Sequence, residues 1–300
     1  MTLVDDDRLI FTVRLETGST AMRLLEELAC GLRLQCSSWT DPAKEHGFVT
    51  FYCSTHADAE HACAALEQQL QALRDSLPSP VINHGIQPLL REDWAETWKR
   101  FFHTEHVSPR VVIKPSWEVY QPRAPEIVVQ IDPEMSFGTG RHGTTRACLQ
   151  FLDLLGAQIP DASFLDIGCG SGILAIAAAK LGLGPITAFD NDPVAVTNAR
   201  NNIRQNRVLG LIELHEKSLA DASSFGRYRI VVANLLAEIL CDHAEVIRER
   251  LVDDSPAFLI LSGLLDSQYD EVVELYAGKG LCEHRRLTFD GWTSGCFTNL

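Results

Sequence analysis

Two hydrophobic rhythms divide this chain. From Ser163 onward, short apolar runs recur at Ser163 to Ile167, Ile186 to Asp190, Leu211 to His215, Ile230 to Asn234 and Ala257 to Ser262, separated by stretches with helical spacing. Strands that are apolar on both faces lie between two layers, so the alternation predicts a largely parallel sheet with helices on both sides. Glu283 to Thr288 and Thr293 to Asn299 complete it as antiparallel edge strands, and two further strands, one starting near Val111 and one from Glu126 to Ile131, precede it. The first 76 residues follow a different rhythm. Leu9 to Leu15 alternates like a half-buried strand, Thr20 to Ala29 has helical spacing, Leu32 to Trp39 and Gly47 to Cys53 read as strands, and Ala57 to Leu73 as an amphipathic helix. That β-α-β-β-α order predicts a small ferredoxin-like α+β domain over residues 1–76. Pro78, Pro80 and Gly85 mark a linker, which runs through a short helical stretch carrying Trp94 and Trp98 to residue 110. The sheet domain then occupies 111–300.

The densest chemical signal lies where the first buried run ends. Residues Phe164 to Ile176 read Phe-Leu-Asp-Ile-Gly-Cys-Gly-Ser-Gly-Ile-Leu-Ala-Ile. Gly168, Gly170 and Gly172 remove the Cβ at alternate positions where a strand hands over to a helix, so a ligand can lie on bare backbone beside the helix N-terminus. A dinucleotide loop requires its third glycine one position later, where Ile173 stands; a phosphate-cradling loop requires Gly-Lys-Ser/Thr, and no lysine follows before Lys180. The helix closed by Gly182 leads to the strand that ends on Asp190, and a carboxylate at that tip accepts the ribose hydroxyls of an adenosine. Asp192-Pro193 reads as N-cap and first helical residue, which makes Asp190 rather than Asp192 the ligand residue. On the glycines alone, a structural strand-to-helix turn is the competing reading.

Composition changes the picture in three respects. At 300 residues and 46% apolar content, the chain can bury the core of one to two domains, and no apolar run approaches the ~20 residues that span a bilayer. Asp5, Asp6 and Asp7 do not fit the basic-then-apolar order of a signal peptide, and nine cysteines without a Cys-x-x-Cys pair read as free thiols, so a cytoplasmic location is expected. The formal charge of −14, without clustered Lys and Arg, argues against direct contact with nucleic acid and suits a basic protein substrate, although acidity for solubility alone gives the same number. His46, His56 and His61 lack the spacing of metal ligands and read as exposed side chains; no metal is expected.

A second candidate segment runs Asp132-Pro133-Glu134-Met135-Ser136-Phe137-Gly138-Thr139-Gly140-Arg141-His142-Gly143-Thr144-Thr145 into an apolar helix. Its glycines give a flexible loop, and the helix start offers free amides and a dipole suited to a carboxylate. The Asp166 to Gly172 loop resembles that of class I adenosylmethionine-dependent methyltransferases. With Phe137-Gly138-Thr139-Gly140 before it and the Asp190 strand tip and Val232-Ala233-Asn234-Leu235-Leu236-Ala237 after it, in this order, and with further similarity in Pro115-Ser116-Trp117-Glu118 and Leu261-Ser262-Gly263-Leu264-Leu265, the chain resembles the PrmA family, methyltransferases of large-subunit ribosomal protein L11. The resemblance covers roughly Trp94 to Tyr276.

The resemblance implies a seven-stranded, mostly parallel, Rossmann-like methyltransferase sheet with S-adenosyl-L-methionine as cofactor and S-adenosyl-L-homocysteine as product. It implies that Thr145 and the loop holding Phe137 and Gly138 close on the cofactor, that Gly168 and Gly170 approach its methionine and sugar portions, and that Asp190 holds the ribose. Asn234 ends its strand beside the methyl donor and orients an acceptor amine. His142 acts either as a base or substrate contact, or as a hydrogen bond that fixes the loop. The activity implied is N-methylation of lysine or N-terminal amines of ribosomal protein L11, recognised through the N-terminal domain. Three departures bear on the substrate: Arg141-His142-Gly143 stands where the family has Thr-His-Pro, Tyr228-Arg229 where Tyr-Asp is common, and Gly291-Trp292 where Glu-Trp is usual. They leave open an enzyme of the same fold with another protein or a small molecule as acceptor, or a non-catalytic binding module.

Overall fold

The computed structural model describes the chain except residues 1–8, 19–20, 23–24, 26–27, 29–31, 33, 42–45, 73–78, 91–101, 133–141, 255 and 300. Trp94, Trp98, Phe137, Gly138 and Arg141 lie outside the described residues. The chain separates into two units, Met1–Phe101 and Phe102–Leu300.

The first unit is an antiparallel sheet of β1 (Leu9–Gly18), β2 (Gln35–Asp41), β3 (His46–Cys53) and β4 (Ile82–Leu90) in the order β2-β3-β1-β4. Ala21, Met22, Leu25 and Leu28 are helical between β1 and β2, and α1 (His56–Ala72) lies between β3 and β4. Phe11, Val13, Leu15, Val49 and Phe51 form the buried core with Met22, Leu25, Ala59 and Leu66 from the helices. The expected β-α-β-β-α order of a ferredoxin-like domain is present, and a fourth strand that was not expected completes it as βαββαβ. Ile82–Leu90, read from its neighbouring prolines as linker, is the fourth strand and pairs with β1 from Leu9↔Leu90 to Glu16↔Ile82. An edge strand tolerates Pro88 and the left-handed Gly85, because one side of its backbone needs no ladder partner.

In the second unit, β8 (Phe164–Ile167), β9 (Ile186–Asp190), β10 (Ile212–Glu216), β11 (Ile230–Asn234), β12 (Phe258–Leu265), β13 (Leu281–Phe289) and β14 (Trp292–Asn299) form one sheet in the order β10-β9-β8-β11-β12-β14-β13. The first five are parallel, and β14 runs antiparallel to both neighbours. The predicted strands therefore form, except that β14 is an interior strand and, of this last pair, β13 alone lies at an edge. The two strands differ in burial accordingly: Thr293 to Phe297 are all buried, whereas Glu283 to Arg286 are exposed. One face is covered by α2 (Gly143–Gln158), α3 (Ile173–Lys180) and α4 (Pro193–Gln205), and the other by α5 (Ala237–Asp242), α6 (Ala244–Glu249) and α7 (Asp266–Ala277). Ile173 to Ala178 are buried, so α3 has no polar face to present to water.

A separate three-stranded sheet, β5 (Glu105–His106), β6 (Val111–Lys114) and β7 (Ile127–Gln130), is tied to this core. The Asn206 amide accepts from the Gln130 N–H and donates to the Gln130 carbonyl at 2.8 and 2.7 Å, completing the backbone pairing of a strand end. Asp132, just beyond β7, accepts the Ser116 N–H at 2.6 Å. In the Pro115 to Glu118 turn, Glu118 takes the Thr104 N–H and hydroxyl, both at 2.6 Å, and these bonds, with His103, hold its carboxyl down at about 2.

Candidate active site

The glycine loop lies at the carboxyl end of β8, near the centre of the sheet, with Gly168, Gly170 and Gly172 at φ of 69°, 53° and 77°. The left-handed backbone explains the alternation of glycines, because each turns the chain in a region that other residues enter only at a cost. Gly168 has a second constraint: a Cβ there would stand 2.5 Å from Leu235 Cδ2. The first helical turn also lacks a cap of its own, since Gly172 is the N-cap of α3 and has no side chain. Asp166 fills that role from β8, accepting the Ala175 N–H at 3.1 Å.

Asp166 is 1% exposed. Burial pushes its carboxyl up to about 7, opposed by the Ala175 hydrogen bond and reinforced by the charge of Asp190. A carboxyl raised in the fold above its ordinary 3.8 takes up a proton on folding between those two values, so its ionisation costs stability as pH rises through that window. Asp166→Asn keeps an oxygen for Ala175 and removes the buried charge. The variant is expected to gain, relative to wild type, on the order of 3 kcal/mol between pH 4 and pH 8. Thermal melts across that range test this, and wild-type and variant melting curves that stay parallel would show that Asp166 does not titrate there.

Asp190, half-buried at the tip of β9, is fixed from two sides: one carboxylate oxygen accepts the Gly170 N–H at 2.8 Å and the other the Asp192 N–H at 3.0 Å. Each oxygen retains a lone pair for a ligand hydroxyl. Asp192 instead caps α4, accepting the Val194 N–H at 2.8 Å ahead of Pro193. The loop is backed from below by Asn202, which donates to the Ser171 carbonyl at 2.9 Å, and by Ala199, whose Cβ lies 3.1 Å from where a Gly172 Cβ would be.

On the other side of β8, Asn234 ends β11 opposite Ser262 of β12. Its side-chain amide is half-exposed and makes no hydrogen bond among the described residues. Ser262 is fully buried and joins three distant segments: its hydroxyl donates to the Thr144 carbonyl at 3.2 Å and lies 2.7 Å from the Ser294 hydroxyl. This network fixes the start of α2 over β12 and β14. Next to it, the Thr145 hydroxyl is buried with no hydrogen-bond partner, an arrangement that costs stability unless a ligand group meets it. Loop, Asp190, Asn234 and Thr145 thus gather at one end of the sheet, where the strand order reverses between β8 and β11 and where open α/β sheets bind their ligands.

His142 is the N-cap of α2. Its Nδ1 lies 2.7 Å from the Thr144 hydroxyl and its ring meets Trp292 edge-on at 5.0 Å. Burial pushes its pKa down, and Asp290 partly counters this. The three departures from the family pattern also find physical places. Asp290 and Gly291, at φ 52° and 76°, form the two-residue turn between Phe289 and Trp292, where both central residues must be left-handed. The tip of that hairpin packs on Gly143, where a Cβ would stand 2.7 Å from Phe289 Cβ and 2.9 Å from its carbonyl oxygen, so proline has no room. Arg229 lies at the opposite end of β11 from Asn234, bonded through its N–H to Ser163 and through its guanidinium to the Pro256 carbonyl.

Sequence reasoning singled out Asp190, Gly168, Gly170, Thr145 and Asn234, and the fold brings them together. It missed Ser262 and Ser294 as the link between α2 and the sheet. A small polar residue within the apolar run of β12 was the available signal for Ser262; Ser294 had none.

This sheet order, with the Asp-x-Gly-x-Gly-x-Gly loop after its first strand and an acidic residue ending the second, defines a class I adenosylmethionine-dependent methyltransferase. Residues 17–299 match the family model described as ribosomal protein L11 methyltransferase (PrmA), and the chain belongs to that family. It is 36% identical over 247 residues, 82% of this chain and 76% of the relative, to the ribosomal protein L11 methyltransferase of Heliobacterium modesticaldum. To that of Geotalea uraniireducens it is 38% identical over 235 residues, 74% of this chain and 73% of the relative. A crystal structure of the ribosomal protein L11 methylase of Lactobacillus delbrueckii subsp. bulgaricus superposes with a TM-score of 0.57 at 30% identity, covering 66% of this chain and 98% of that one. No described helix is long and apolar enough to cross a membrane.

Proposed function

We propose that this chain transfers a methyl group from S-adenosyl-L-methionine to lysine or N-terminal amines of ribosomal protein L11. The observation that carries the reading is Asn234: an unpartnered, accessible amide at the carboxyl end of β11, one residue from the Leu235 side chain that reaches over Gly168. The residues around it suit the cofactor. The glycine loop offers bare backbone, Asp190 offers carboxylate oxygens for ribose hydroxyls, and the buried Thr145 hydroxyl waits for a polar group such as the methionine carboxylate. When bound, the cofactor supplies a methyl group already activated on a sulfonium, and the thioether S-adenosyl-L-homocysteine is left.

The protein's task is then alignment and exclusion of water. Asn234 accepts an N–H of the neutral acceptor amine through its side-chain carbonyl and points the nitrogen lone pair at the methyl group. The amine reaches that state by losing its proton to water, so no side chain has to act as base. His142, held by Thr144 and Trp292, is a positioning residue that keeps the start of α2 in place. The N-terminal unit recognises the substrate protein.

The test is incubation with methyl-labelled cofactor and the ribosomal proteins of the same organism. Label is expected on ribosomal protein L11, and Asn234→Ala is expected to lower kcat about 100-fold while the cofactor still binds. Label that reaches other proteins only, or none, overturns the assignment.

A further inference from the structure

α5 follows the candidate catalytic asparagine directly, and its two faces differ. Leu240 is fully buried, its carbonyl accepts the Tyr276 hydroxyl at 3.0 Å, and Ala237 and Cys241 pack against the core beside it. The outward face carries two large apolar side chains, Leu236 at 46% and Ile239 at 37% exposure, three residues apart and therefore neighbours on the surface. It also carries Glu238 and Asp242, exposed, four residues apart, and without an ion-pair partner among the described residues. The helix dipole favours Glu238 in the first turn, but Asp242 at the other end is opposed both by that dipole and by the like charge four residues away, and exposed leucine and isoleucine gain nothing from water, so Asp242, Leu236 and Ile239 do not serve the isolated fold. Nearby, Glu245 of α6 is by contrast paired with Lys279 at 2.5 Å.

We propose that Leu236, Glu238, Ile239 and Asp242 form the acceptor-side lip of the active site and grip the polypeptide on either side of the amine that receives the methyl group. The inference rests on the active-site reading above and adds to it the chemistry of the acceptor segment. Leu236 and Ile239 cover an apolar residue next to the acceptor amine. Glu238 and Asp242 hold a second cationic side chain, and Glu238, four residues from Asn234, also draws the acceptor lysine, charged in solution, toward the site. The occupant is a basic, partly apolar segment of the protein substrate. Charge complementarity selects it, since an acidic segment would bring its own negative charges against the two uncompensated carboxylates of the lip. The buried inner face of α5 keeps the lip rigid, so binding there orders only the substrate.

Steady-state kinetics with purified ribosomal protein L11 as acceptor tests the lip in the full-length enzyme. Leu236→Ser combined with Ile239→Ser is expected to raise KM for the protein about tenfold, as loss of two apolar contacts implies, with kcat within about twofold. Glu238→Gln combined with Asp242→Asn is expected to raise KM at low salt and to flatten its salt dependence. Calorimetry with S-adenosyl-L-homocysteine should give the wild-type Kd for every variant, which establishes that the sheet and loop are intact. An unchanged KM in both double variants, with kcat of Asn234→Ala still lowered about 100-fold, overturns the lip and leaves the active-site reading standing. A wild-type enzyme that methylates no ribosomal protein overturns both.

Discussion

Asp190→Ala is expected to raise the Kd for S-adenosyl-L-homocysteine at least about 100-fold, whereas Asp192→Ala is expected to change it less than about threefold. The two carboxylates stand two residues apart and differ in what they hold. Asp190 accepts the Gly170 and Asp192 N–H groups, so its removal takes away both the proposed ribose contacts and the tie between β9 and the glycine loop. Charge-assisted hydrogen bonds contribute about 1.5–3 kcal/mol each, and a 100-fold change corresponds to roughly 2.7 kcal/mol. Asp192 holds only the Val194 N–H at the start of α4, a cap worth about 1 kcal/mol of stability. Calorimetry separates the two, and a thermal melt should show the smaller stability loss in Asp192→Ala. Equal effects on affinity would mean that Asp190 acts only as a structural tie.

Gly263→Ala is expected to cost about 3–5 kcal/mol of stability and to abolish methyl transfer in whatever folded protein remains. Gly263 has φ of 87°, and a Cβ there would overlap the Leu235 carbonyl oxygen and stand 2.8 Å from its carbonyl carbon. Backbone strain of 1–3 kcal/mol adds to an overpacking cost of similar size, and neither can be relieved by a side-chain rotation because the obstacle is main chain. Relief requires Leu235 to move away from β12, which carries Asn234 with it and breaks the close approach of Leu235 to Gly168. The readouts are the melting temperature and single-turnover methyl transfer to ribosomal protein L11. A variant with wild-type melting and turnover would show that β11 and β12 have slack at this point.

These residues also mark the limit of what could be read without coordinates. The Gly168 to Gly172 loop was legible because its cause is local: three backbone positions in the left-handed region call for glycine whatever surrounds them. The Asp192-Pro193 cap was legible for the same reason. β4 was not, because Pro78, Pro80 and Gly85 resemble linker chemistry, and only pairing with β1 along an edge makes a strand of Ile82–Leu90. The same holds for Gly143. As a sequence it is a family proline lost; in the fold it is the surface on which Phe289 lies.

The sequence by itself determined the alternation of buried strands and helices, the turn of the Gly168 to Gly172 loop and the Asp192 cap, and through the order of its motifs the family. These follow from interactions between residues a few positions apart, which a linear pattern records. The tertiary structure decided that β14 lies inside the sheet, that Ser262 joins Thr144 to Ser294, that Asp166 caps a helix begun by a glycine, and that Leu235 bridges Gly168 and Gly263. Those depend on strand register and close packing between segments up to 150 residues apart (Thr144 to Ser294), where a shift of one residue turns every side chain to the other face.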